Sequence, residues 1–130
     1  MFRRWWCGLS LVGLIAAASA ACGGGSSPTP PTTPTNPYVL TISAGGIVGP
    51  RELTVPPGTR VLFLNNHSRR HDMTSDPHPD HLDCPELNQV GVLNTGQSRE
   101  SGNLVAIRSC GFHDHDDPTN VNLRGTIIIR

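Results

Sequence analysis

Six histidines and four cysteines carry most of the chemistry open to this 130-residue chain. Cys110 and His113 stand three apart in Ser109-Cys110-Gly111-Phe112-His113-Asp114-His115. The apolar segment Gly125-Thr126-Ile127-Ile128-Ile129 follows them. His71 comes after an earlier apolar segment, Val61-Leu62-Phe63-Leu64-Asn65-Asn66. A thiolate with two imidazoles is the donor set of a copper electron-transfer centre. Sulfur softness suits Cu(I), and imidazole tolerates both oxidation states. His71, Cys110 and His113 are therefore the first candidate metal ligands.

A second set lies in Asp76-Pro77-His78-Pro79-Asp80-His81-Leu82-Asp83-Cys84, with His-x-x-His-x-x-Cys spacing. His78, His81, Cys84 and His115 are alternative ligands for zinc or copper. The prolines forbid a regular helix here, so the three side chains need not share a face, and a rigid polar lid is the competing reading. The acidic neighbours Asp114, Asp116 and Asp117 could hold a ligating imidazole in one tautomer. A disulfide between Cys84 and Cys110 is the alternative to thiolate ligation, and the sequence leaves both open. No Ser/His/Asp arrangement, Gly-rich phosphate loop or carboxylate pair stands out, so the chain is not expected to be an enzyme.

The cysteine question depends on compartment. Met1 to Trp6 is a basic start, and Cys7 to Ala21 is an apolar run ending in small residues. Residues 1–21 read as a secretory signal peptide, too short to span a bilayer comfortably. Ala18-Ser19-Ala20 fits one cleavage site, while Ser19-Ala20-Ala21-Cys22 resembles a bacterial lipobox with Cys22 as the lipidated N-terminus. Residues 22–37 are Gly/Ser-rich, then Pro/Thr-rich, a tether with little to bury. Export across the inner membrane to a periplasmic or cell-surface position, lipid-anchored at Cys22, is the expectation. Cys84 and Cys110 would then sit in an oxidising compartment. From Cys22 onward the chain has eight Arg, no Lys and ten Asp plus Glu, a net charge near −2. No basic face argues for nucleic acid.

The elements that must position these side chains are short strands. Tyr38–Ile42, Arg51–Val55, Thr59–Asn65, Ser98–Ser101, Leu104–Ser109 and Gly125–Arg130 read as strands, separated by Gly45-Gly46, Pro56-Pro57-Gly58 and Asn94-Thr95-Gly96-Gln97 as turns. No segment keeps a helical period over three turns. One all-β domain over 38–130, a Greek-key β-sandwich, is predicted. Residues 66–93 read as a long His-rich loop, the kind usually tied to function.

On these motifs the domain resembles the cupredoxins, the plastocyanin and azurin group of blue copper proteins. The resemblance rests on Leu53 to Asn66 as strand, Pro-Gly turn, strand and Asn, on His71 after it, on Asn94-Thr95-Gly96-Gln97-Ser98, on Cys110-x-x-His113 and on the closing strand. It implies one bound copper in a His₂Cys type 1 site, redox partner proteins and a monomer. It departs from the family at Leu123, which stands two residues before Gly125 where an axial Met is common and which cannot coordinate. The segment from His113 to Leu123 is longer than in plastocyanin, and no Tyr precedes Cys110. On the same fold, the alternatives are a binding or structural module stapled by Cys84–Cys110 without redox copper, or a metal-holding protein using the His-rich loop.

Overall fold

The computed structural model describes residues 35–130. The signal peptide, Cys22 and the tether as far as residue 34 lie outside them. Two sheets face each other. In the first, β2 (Val48–Gly49), β1 (Val39–Ile42), β4 (Leu62–Asn65) and β7 (Ser98–Glu100) lie in that order. In the second, the order is β3 (Glu52–Val55), β9 (Gly125–Ile129), β8 (Arg108–Asp114), β5 (His71–Ser75) and β6 (Gly91–Leu93). β1 pairs with β4 and β3 with β9 in parallel; the remaining pairs are antiparallel. Near the start of the described residues, Asn36 Nδ2 donates to Arg60 O at 2.8 Å and to Glu100 Oε1 at 3.0 Å.

Alternation builds the core. β1 and β4 each bury every second residue, placing Leu40, Ile42 and Phe63 inward. β8 supplies Cys110 and Phe112, and β9 supplies Ile127 and Ile129. Phe63 and Phe112 meet edge to face, centroids 5.4 Å apart and planes at 85°, so one aromatic pair spans the two sheets. At Pro56-Pro57-Gly58 the chain turns as expected, with Gly58 at φ +88°.

Two expectations are corrected. The strand placed over Leu104–Ser109 lies further on: Leu104 makes only an isolated bridge to Thr59, and β8 runs from Arg108 through Asp114. Its ladder comes from β9 along Arg108–Phe112 and from β5 along Phe112–Asp114, which overrides the weak strand preference of Gly and Asp. The segment 66–93 is not one loop. It contains β5, a 3₁₀ turn over Pro85–Gln89 and β6.

Candidate metal centre

The extension of β8 decides what Cys-x-x-His can do. Successive residues of a strand point to opposite faces, so residues three apart diverge. Cys110, Phe112 and Asp114 share one face; Gly111 and His113 share the other. Cys110 and His113 thus cannot converge on one ion within this strand. Cys110 is moreover bridged to Cys84, with Cα atoms 5.6 Å apart, and both are fully buried. The bridge leaves neither cysteine a thiolate, so the proposed His71, Cys110 and His113 set is not assembled. Cys84 likewise drops out of the His78, His81, Cys84 alternative.

His71 lies in a group of its own. It opens β5, and its Nδ1–H donates to Asp114 Oδ2 at 2.7 Å. Its Nε2 is 2.8 Å from His67 Nδ1, and the two rings stack at 5.0 Å. Both His71 nitrogens are therefore engaged. Asn65, fully buried, shapes this end: its Nδ2 donates to Arg69 O and Leu93 O, and its Oδ1 accepts from His67 N. Leu123, the candidate axial position, is buried beside His71 and Asp114 at one cavity and not beside His113. Met73 is a core residue.

The other four histidines converge. One ligand nitrogen from each of His78, His81, His113 and His115 lies within 4.8 Å of every other. His113 and His115 come from β8 and the residue after its end; His78 and His81 come from the loop between Asp76 and Cys84. That loop is tied down locally. His81 N donates to Pro77 O at 2.7 Å, Asp83 N to Asp76 O at 2.9 Å, and Cys84 N to Ser75 Oγ at 2.8 Å. Asn88 Nδ2 reaches His81 O from the 3₁₀ turn.

Hydrogen-bond partners set the imidazoles' tautomers. A carbonyl can only accept, so His81 Nδ1 carries its proton toward Ser75 O at 2.8 Å and leaves Nε2 with a lone pair. His115 Nδ1 donates to that lone pair at 2.9 Å. His113 Nδ1 donates to Asp76 Oδ1 at 2.5 Å, which leaves its Nε2 unprotonated. This Nε2 is buried and has no hydrogen-bond partner, in a residue only 1% exposed. A buried lone pair without a partner is costly unless something occupies its direction. A carboxylate behind one ring nitrogen and a free lone pair on the other is how metal-binding histidines are held. Burial pulls the His113 pKa below its ordinary value, against the opposing hydrogen bond and charge of Asp76; His81 and His78 add to the lowering. The neutral, ligating form is therefore favoured.

Glycine makes room for this arrangement. A Cβ at Gly111 would lie 3.0 Å from Asp76 Cγ and 3.1 Å from Asp76 Cβ. Asp76 sits over the bare backbone and reaches the ring two residues along. His81 is held at φ +55°, a conformation uncommon for a residue with a side chain. Such positions cost about 1–3 kcal/mol and collect at functional sites.

The sandwich has known counterparts. It matches a purple cupredoxin from Nitrosopumilus maritimus with a TM-score of 0.59 at 21% identity, covering 72% of this chain and 99% of that one. The fold is cupredoxin-like. An oxidised plastocyanin from Dryopteris crassirhizoma gives a TM-score of 0.56 at 17% identity, over 72% of this chain and 100% of that one. An amicyanin mutant in its Cu(I) form gives 0.53 at 16%, over 72% and 81%. No family model matches the chain, and no curated protein matches it. On this cupredoxin-like frame, the sequence points to His113 as a first-choice ligand and to the other three converging histidines, His78, His81 and His115, only as alternatives. Sequence reasoning missed that β8 presents His113 and His115 to the loop carrying His78 and His81. It also missed Asp76, whose signal was the glycine two residues before His113.

Proposed function

We propose that this chain is a copper-holding protein whose ion is bound by the imidazoles of His78, His81, His113 and His115. The observation that carries the reading is the buried, unpartnered Nε2 of His113, backed by Asp76 and facing three other imidazoles. Four neutral nitrogen donors suit Cu(II), which sits at the top of the affinity order for divalent ions, and Zn(II) after it. The copper would supply a positively charged, exchangeable centre. The residues supply a tautomer-fixed pocket with two deep ligands, His113 and His81, and two outer ones, His78 and His115. Export and lipid anchoring at Cys22 belong to the same proposal, placing the holder at a membrane surface outside the cytoplasm.

Titration of the oxidised protein with Cu(II) against a competing chelator tests it. One ion per chain is expected, with His113→Gln and His81→Gln each reducing affinity at least about tenfold. Uptake unaffected by both substitutions would contradict it. A thiol count on denatured, unreduced protein should find neither Cys84 nor Cys110 free.

A second reading keeps electron transfer to redox partner proteins, favoured by the likeness to plastocyanin and amicyanin. It requires the imidazole-held copper to cycle reversibly between oxidation states at an electrode. Irreversible or absent waves would leave the holding function alone.

A further inference from the structure

The cysteine bridge and the histidine cluster share their chain segments. His78 and His81 lie on the loop that ends at Cys84, and His113 and His115 follow Cys110 by three and five residues. The bridge joins these two segments covalently, between sulfurs that are fully buried. The polar ties between loop and strand are few: Asp76 N to Gly111 O at 3.0 Å, Asp76 to His113, and His115 to His81. The last of these uses two nitrogens of the cluster itself, so it cannot persist unchanged once both ligate an ion. The β5 ladder with β8 stops at Ser75 opposite Phe112, and Ser75 then ties the loop to β5 alone, accepting from His81 Nδ1 and Cys84 N. Past that point the bridge holds the returning end of the loop to β8, with the Arg108–Glu86 ion pair, 2.6 Å, as the next tie beyond it.

We infer that the Cys84–Cys110 bridge is a positioning element of the four-imidazole site. The same bond that removes a thiolate from copper chemistry holds the His78/His81 loop against the His113/His115 strand. With the bridge closed, the ligands are gathered before the ion arrives, and binding has little chain left to order. With the bridge open, part of the binding free energy is spent on ordering the loop, and affinity falls although the sandwich persists. The bridged chain is the loading-competent form. This rests on the four-imidazole reading of the preceding section.

The test compares full-length oxidised protein with Cys84→Ala/Cys110→Ala, and with Cys84→Ala/Cys110→Val, which refills more of the buried volume. Fold is checked by circular dichroism, and affinity for Cu(II) and for Zn(II) by chelator competition. Ile42→Val, a core change remote from the cluster, serves as a control that lowers stability alone. In a folded bridge-free variant, affinity for both ions should fall at least about tenfold, and the Cu(II) spin-resonance spectrum should broaden into several species. Ile42→Val should leave both unchanged. Bridge-free protein that matches the wild type in affinity and spectrum would overturn the inference. Should neither variant fold, wild type reduced by phosphine and then freed of it replaces them, titrated without oxygen and with redox-inert Zn(II) in place of Cu(II); a loss of affinity supports the inference and an unchanged affinity overturns it. Oxidised wild type that binds neither ion one-to-one would remove the four-imidazole reading itself, a failure distinct from equal affinity with and without the bridge.

Discussion

His113 is the residue on which the site depends. Its ring is buried, its Nδ1 is committed to Asp76, and its Nε2 is left for a ligand. Asp76 can come this close only because Gly111 has no side chain. Gly111→Ala should therefore push the carboxylate off His113 and lower copper affinity by about 10–100-fold, as loss of a carboxylate behind a ligating histidine does. Chelator competition reads this directly, and unchanged affinity would mean that the carboxylate is not needed to aim the ring. The same burial gives a pH signature to the metal-free protein. The folded-state pKa of His113 lies below its ordinary value of 6.5. As pH falls, the unfolded chain takes up this proton first. The contribution of His113 to stability is thus complete above about pH 6.5 and is lost as pH drops through the folded-state value. His113→Asn should flatten that part of the melting-temperature profile relative to wild type. Parallel profiles for the two proteins would contradict the assignment.

At the scale of elements, β8 is the part the sequence described least well. Glycine and two aspartates around Cys-x-x-His look like a loop closing a strand, so the strand was expected to stop before Cys110. Its partners β9 and β5 carry it four residues beyond Cys110, and strand alternation then sends Cys110 and His113 to opposite faces. Local propensity could not reveal this, because the ladder comes from segments far away in sequence. β5 was hidden for the same reason: His71-Asp72-Met73-Thr74-Ser75 has no apolar alternation, yet four of its five residues are buried. The apolar strands were legible, since β1 alternates apolar and polar residues, β4 is nearly continuously apolar and β9 is strongly β-branched. Phe112 belongs to both stories. It holds the sheets together through Phe63 and fixes the inward face of β8 between Cys110 and Asp114. Phe112→Ala should cost about 3–5 kcal/mol in chemical denaturation. A loss under about 1 kcal/mol would mean that the two sheets do not rely on this contact.

Across the whole molecule, the six histidines divide into two groups at β8. His67 and His71 close on Asp114 beside Leu123, while His78, His81, His113 and His115 gather on the other face. The fold that the sequence suggested is present, but the bridge takes both cysteines out of metal ligation, and the side chains that converge are the imidazoles of His78, His81, His113 and His115. The bridge also steadies the molecule. It spans 26 residues, and closing such a loop in the unfolded chain stabilises the fold by about 3.5 kcal/mol. Removing both cysteines should lower the unfolding free energy by roughly that amount in guanidinium titrations; no loss would indicate that the 3₁₀ turn and the Asp76 contacts already fix the loop. The central claim is that the ion sits among imidazoles and not on a cysteine sulfur. Electron spin resonance with optical absorption on the protein loaded with one equivalent of Cu(II) tests it most directly. The expected result is hyperfine coupling to several imidazole nitrogens, no intense visible thiolate-to-copper band, and loss of the nitrogen signature in His113→Gln. An intense blue or purple band that vanishes in Cys110→Ala would contradict it.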